Sequence, residues 1–253
     1  MLGALLFGSA RADTMIYVAG DNSQFGTFNL QTRVYSQITA STDLTILSAL
    51  AADNGQLYAT SNANPSILYT LSDTGTLSSM GSTATSISGL AFNVSGTLYA
   101  RDYAGNALGT LNPSTGAYTD IGDTGYHAIN ASGVLAFSNG VLYVAISGSS
   151  DILASLDLTT GAATNIGGDS GYYNMALFAA QNVLYGIGAD KNLYSINTTD
   201  ATLTNLGAIT GSNLPGSFNA AVAGPTTSDV PEPATLGLFA IGGLALRWRG
   251  KRK

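Results

Sequence analysis

Residues 90–122 read LAFNVSGTLYARDYAGNALGTLNPSTGAYTDIG, and they hold the unit from which most of the chain is built. Leu90-Ala-Phe92 is followed by the turn signal Ser95-Gly96, and Leu98-Tyr99 opens a second apolar alternation. Leu108-Gly-Thr-Leu111 forms a third, Thr115-Gly116 marks another turn, and the stretch closes on Ile121-Gly122. Short alternations of Leu, Tyr and Thr separated by glycine-containing turns predict antiparallel strands joined by hairpins. Ser-Gly and Asn-Gly pairs supply the positive φ that such tight hairpins need.

The unit recurs along the chain. Leu-Tyr stands at Leu57-Tyr58, Leu98-Tyr99, Leu142-Tyr143 and Leu184-Tyr185, with Ile16-Tyr17 as an equivalent, at spacings of 41, 41, 44 and 42 residues. A second short alternation follows each pair: Phe28-Asn-Leu30, Leu68-Tyr-Thr-Leu71, Leu108-Gly-Thr-Leu111, Leu153-Ala-Ser-Leu156 and Leu193-Tyr-Ser-Ile196. Asn54-Gly55 and Asn139-Gly140 repeat the first turn, while Asp73-Thr-Gly75, Thr160-Gly161 and Thr199-Asp200 repeat the second. The copies end on Met80-Gly81, Ile121-Gly122, Ile166-Gly167 and Leu206-Gly207. Four short strands in about 40–45 residues is the signature of a propeller blade.

Five copies fit between Asp13 and Gly224, but the first begins directly at Ile16-Tyr17 with no strand before it. A spare strand-like segment, Phe218-Asn-Ala-Ala-Val-Ala223, stands alone after the fifth copy. Pairing of the two would complete the first blade and leave no sheet edge open. The predicted fold is therefore all-β: a five-bladed propeller over residues 13–224, closed by its N- and C-terminal strands. An open β-solenoid and a two-sheet sandwich are the alternatives.

Of the 253 residues only 9% are charged, far below the usual quarter, yet 45% are hydrophobic. Because the apolar residues recur on a period, an ordered body is expected rather than a disordered one. Between Asp13 and Ser228, thirteen aspartates face three basic residues, Arg33, Arg101 and Lys191, for a formal charge of −10. Such an acidic body repels phosphate backbones, which argues against nucleic acid as a partner. Cysteine is absent, which removes disulfides, thiolate nucleophiles and cysteine-held metals.

Both ends have a character of their own. Leu2–Phe7 followed by Ala10-Arg11-Ala12 has the layout of a signal-peptide end cut after Ala12, although the apolar run is short and no basic residues precede it. Residues 1–12 are expected to be a signal-peptide remnant, with a start further upstream. At the other end, Val230-Pro231-Glu232-Pro233-Ala234-Thr235 leads into thirteen largely apolar residues, 234–246, and then Arg247, Trp248, Arg249, Lys251, Arg252 and Lys253. Thirteen residues make roughly 20 Å of helix, short of a bilayer core of about 30 Å. Snorkelling arginines and an interfacial Trp248 would extend the span, with the basic end on the cytoplasmic side.

These last residues resemble the sorting signal of the PEP-CTERM family: a Pro-Glu-Pro motif (Pro231, Glu232, Pro233), a Gly/Leu/Ala helix and a terminal basic cluster. The resemblance covers about the last 24 residues. It implies an exported protein of a Gram-negative bacterium, handled by the membrane transpeptidase exosortase in species that build exopolysaccharide and biofilm matrix. The segment 225–233 is expected to be a linker and 234–253 a short hydrophobic helix with a basic end, a transient or permanent membrane anchor.

Loops after each Leu-Tyr strand and loops joining blades should share one face of a propeller. That face collects Asp102 and Asp190 and two similar loops, Asp123-Thr-Gly-Tyr126-His127 and Asp169-Ser-Gly-Tyr172-Tyr173. Tyrosines beside Asp and Asn suit stacking on sugar rings, so Tyr126, His127, Tyr172, Tyr173, Asp102 and Asp190 are the candidate ligand-binding residues. The same residue types could hold a weak calcium ion or serve only as turn formers.

No catalytic residues, metal or cofactor are expected. The lone histidine, His127, has no cysteine partner, and no Gly-x-Ser-x-Gly elbow precedes a helix. Aspartates are plentiful, but they fall at predicted turns, and sequence cannot set the carboxylate separation a glycosidase needs. The expected function is a non-catalytic surface or matrix protein that binds polysaccharide or another envelope component. A purely structural surface protein, or a propeller hydrolase or lyase, is the alternative.

Overall fold

A short strand with alternating side chains gives its sheet two apolar faces, and neither can be buried within one blade. The computed structural model describes residues 13–39, 46–103, 106–126, 135–146, 152–167 and 175–224, and every regular element among them is a strand. The expected signal-peptide remnant (1–12), most of the linker and the tail helix (234–253) lie outside the described residues.

The first copy supplies β1 (Met15–Gly20), β2 (Phe25–Asn29) and β3 (Val34–Thr39). The second supplies β4 (Leu47–Asp53), β5 (Gln56–Ser61), β6 (Ile67–Leu71) and β7 (Leu77–Ser82). The third has β8 (Ile87–Phe92), β9 (Leu98–Asp102), β10 (Ala107–Leu111) and β11 (Tyr118–Asp123). The fourth has β12 (Leu135–Ser138), β13 (Val141–Ile146), β14 (Ile152–Leu156) and β15 (Ala163–Asn165). The fifth has β16 (Ala176–Ala180), β17 (Val183–Ile187), β18 (Asn192–Ile196) and β19 (Leu203–Ala208), and β20 (Thr210–Gly211) and β21 (Phe218–Ala223) follow. Copies two to five are four-stranded antiparallel meanders, with the first strand innermost.

The spare segment closes the ring as the sequence predicts. β21 pairs antiparallel with β1, from Ile16 opposite Ala223 to Gly20 opposite Phe218. The innermost strands β21, β4, β8, β12 and β16 neighbour one another in that cyclic order. The body is therefore a five-bladed propeller, complete within residues 13–224. One element goes beyond the sequence reading: β20 pairs in parallel with β3 and adds a fifth strand to the first blade.

The core lies between blades rather than within them. Five separate apolar clusters fill the five interfaces, one per neighbouring pair. The Leu-Tyr repeat is explained by these clusters. Ile16, Leu57, Leu98, Leu142 and Leu184 each pack toward the preceding blade and are at most 3% exposed. The tyrosine beside each packs the other way, toward the following blade: Tyr58 lies 5.1 Å from Phe92 and Tyr99 5.5 Å from Phe137, ring centre to ring centre. Each buried Leu contributes about 1.5–3 kcal/mol, and only because the neighbouring blade is present.

Blade edges are matched by backbone-to-backbone contact. Gly122, at the bulge near the end of β11, sits against the β14–β15 turn of the next blade. A methyl group on Gly122 would overlap the Thr160 carbonyl, and one on Gly161 would overlap the Gly122 carbonyl. Gly81 and Thr115-Gly116 repeat this contact one blade earlier. Gly55, in contrast, has positive φ (84°) but open space around it.

Gly122→Ala should therefore cost about 2 kcal/mol or more, against about 1 kcal/mol for Gly55→Ala, where only backbone strain is added. Urea denaturation of residues 13–224 measures both, and equal costs would refute the interlock.

Candidate functional site

Two faces of the propeller present different chemistry. One carries the turns that join the first and second strands of blades two to five: Asn54-Gly55, Ser95-Gly96, Asn139-Gly140 and Gln181-Asn182. Positive φ at Asn54, Asn139, Gln181 and Asn182 folds these turns tightly, which keeps them low around the axis. The other face carries the longer loops between second and third strands and between blades.

On the hairpin face a cavity of about 530 Å³ opens where the innermost strands of blades two to five run into their turns. Its walls are Ala52, Phe92, Phe137, Ala179 and Ala180, and its rim holds Asp53, Asn93, Ser138, Asn139, Gln181 and Asn182. A second cavity of about 210 Å³ continues along the inner strands and shares Ala52, Phe92, Phe137 and Ala179 with the first. Among the described residues Asp53 is the one ionisable group in the outer lining. Rim polar groups are partly tied to one another. Ser138 Oγ and Asn139 Nδ2 both donate to the Asn182 carbonyl at 3.2 Å, which joins blades four and five. Asn54 Nδ2 donates to Asp53 Oδ2 at 3.0 Å. Asn93 Oδ1 accepts the backbone N–H of Ser95 and Thr97, which leaves its amide nitrogen as a donor. Val94, at the tip of the β8–β9 turn, is fully exposed.

The cavity's origin lies in one register position. Ala52, Phe92, Phe137 and Ala179 stand opposite Leu57, Leu98, Leu142 and Leu184, and Ala223 stands opposite Ile16. These are the same site in five blades. Two blades carry phenylalanine there and three carry alanine, so one side of the axis is walled by rings while the other is left open.

Of the residues singled out from sequence, Tyr126, Asp102 and Asp190 lie on the loop face. Tyr126 is half-buried and packs on the core between blades three and four, with its backbone bonded to Thr124 Oγ1. Asp102 ends β9 and accepts a 2.6 Å hydrogen bond from Thr85 Oγ1. It adjoins Arg101, which is fully buried and donates to Ser88 Oγ at 3.3 Å and Asn106 Oδ1 at 3.2 Å. Burial pushes the Arg101 guanidinium down, and the charges of Asp102 and Tyr103 oppose that shift. Asp190 accepts from the Tyr194 hydroxyl and Asn192 Nδ2, both at 2.6 Å. Asp102 and Asp190 thus have bonds within the fold. His127, Tyr172 and Tyr173 lie outside the described residues, as do the Pro231-Glu232-Pro233 motif and the basic residues Arg247, Trp248, Arg249, Lys251, Arg252 and Lys253.

Aspartates elsewhere cap turns. Asp157 Oδ1 accepts the backbone N–H of Thr160 at 2.9 Å and Thr159 at 2.8 Å, and those bonds hold its carboxyl below the usual range. Asp200 is lowered by the backbone N–H of Thr202. Slight burial pushes Asp190 up, but its bonds from Tyr194 and Asn192 outweigh this and the net shift is downward. Asn29, Asn112 and Asn197 take the place of Asp157 in the sister turns. Among the described residues there is no group of three or more His, Asp or Glu side chains placed to hold a metal.

Comparison with known proteins agrees with this picture. Residues 229–253 match the PEP-CTERM protein-sorting motif, the recognition signal of exosortase, which indicates an exported protein sorted to the cell envelope. No curated protein matches the chain. A chain in a crystal structure of a nidogen/laminin complex superposes with a TM-score of 0.57 at 10% identity, covering 84% of this chain and 98% of that one. That likeness concerns the propeller fold alone.

The lowered carboxyls fix the sign of an acid response. Their folded pKa values lie below the unfolded ones, so their stabilisation is complete above about pH 4 and is lost as pH falls through the folded values. The urea midpoint of residues 13–224 should hold between pH 7 and 5 and drop below pH 4. Asp157→Asn should keep the turn, as Asn112 does, and remove its share of that drop; a midpoint flat to pH 3 would contradict the assignment.

Proposed function

We propose that this chain is an exosortase-sorted surface or biofilm-matrix protein of a Gram-negative bacterium. Its propeller is a non-catalytic module that binds polysaccharide or another envelope component. The observation that carries this reading is the pairing of a sorting motif with a propeller whose axial cavity combines aromatic walls with an amide rim. Cavities of this size with a few polar groups around an apolar wall suit small ring ligands. Asp157, Asp190 and Asp200 are lowered by turn bonds, which makes these three unsuited to acid catalysis of hydrolysis. A general acid acting on a glycosidic bond needs the opposite shift.

In this reading exosortase recognises Pro231, Glu232 and Pro233. The segment 234–246 enters the membrane, and the cluster from Arg247 to Lys253 is held by the anionic inner leaflet. The propeller then lies outside the cytoplasm, where an acidic body is compatible with neutral polysaccharide.

Two measurements test the proposal. Residues 13–224 displayed on an array of polysaccharides and oligosaccharides should be retained by at least one neutral glycan; retention by none would leave a purely structural role. In a host with an exosortase, the full chain should lose its tail, whereas Glu232→Ala should accumulate with the tail attached, as read by intact mass. Identical masses for both would remove the sorting role.

A further inference from the structure

We infer that the axial cavity on the hairpin face receives the end of an uncharged sugar chain, one terminal ring at a time. The inference rests on the glycan-binding reading above and assigns the site and binding mode within it.

Among the described residues the outer lining holds no basic side chain, and Asp53 is its one ionisable group, so an anionic sugar or a phosphate would meet no counter-charge there. A single carboxylate with amide neighbours is a poor cation site, since a hard cation takes six or more oxygens. A purely aliphatic ligand would desolvate the remaining hydrogen-bonding capacity of the rim, such as the Asn93 amide nitrogen and the second oxygen of Asp53, without replacing it. A pyranose ring fits both halves. Its C–H face suits Phe92 and Phe137, and its hydroxyls both donate and accept, as amides and a carboxylate require.

The lining comes from blades two, three, four and five around the axis, and the inner cavity adds Ala221, Val222 and Ala223 from the first blade. Among the described residues the opening is thus bounded by turns of four blades, while the first blade, where the chain enters and leaves, makes no such turn. A pit walled by four blades and floored by the inner strands of all five favours a terminus or a small sugar over the middle of a polymer.

The ring of facing residues is asymmetric. Position 52/92/137/179/223 is phenylalanine in two blades, so the fold accommodates that side chain there. Alanine at the other three keeps the space open opposite the rings. Changing one of those alanines to phenylalanine fills the cavity with a residue the same register already tolerates.

The test uses residues 13–224, which contain all five interfaces and the closure. Gluco-, manno- and galacto-configured oligosaccharides of two to eight units are titrated by calorimetry, alongside Ala52→Phe, Ala179→Phe and a Tyr126→Ala/Tyr172→Ala/Tyr173→Ala variant. Support would be one protein bound per chain at every length, affinity that levels off after two or three units, and a loss of about tenfold or more in either phenylalanine variant at unchanged Tm. The tyrosine variant should bind as the parent does. Protein bound in proportion to chain length would overturn end-binding. Binding lost in the tyrosine variant but kept in both phenylalanine variants would move the site to the loop face and leave the glycan-binding reading intact. Binding to none of the oligosaccharides, with retention on a long polymer, would overturn the terminal-ring mode alone. Binding to neither would remove both.

Discussion

The fold depends on apolar contact between sheets that are individually unable to bury anything. Each blade is a thin meander, and its leucines and tyrosines are sheltered by the blades on either side. A row of such sheets has two unsatisfied ends, and only a ring has none. The β21–β1 ladder therefore has more consequence than its size suggests. It places Phe218, Ala220 and Ala221 into the clusters on both sides of the first blade, so the first and last copies become neighbours.

Much of this architecture could be read from sequence, because the two demands on each strand leave a visible trace. Leu-Tyr is a pair of adjacent residues facing opposite neighbours, and its recurrence every 41–44 residues counts the blades directly. The missing first strand and the unattached segment at 218–223 gave the closure. β20 left no such trace: Thr210-Gly211 pairs through backbone alone, so no side-chain pattern announces it. Ile166-Gly167, read as ending the last strand of blade four, follows β15, which stops at Asn165.

The candidate site was less legible for a physical reason. Asp102 and Asp190 have the composition of ligand residues, but composition does not reveal that Thr85, Tyr194 and Asn192 already bond to them. The axial cavity, in turn, belongs to no single repeat. Its signal was present as a column: when the copies are aligned on Leu-Tyr, the residue facing each leucine runs Ala, Phe, Phe, Ala, with Ala223 completing the ring. Such a column acquires meaning only once the strands carrying it are known to surround an axis.

The position of Gly224 has a mechanical consequence. Its N–H bonds to the Met15 carbonyl at 2.8 Å, at the hairpin-face end of the closing ladder, and from there the chain runs on toward the sorting motif. A pull applied along β21's own direction would enter the body through that strand. The ladder with β1 then resists as a sheared patch, its bonds strained together, instead of parting one by one like a zipper. The strand that fastens the ring is thereby also the strand through which the body takes up load.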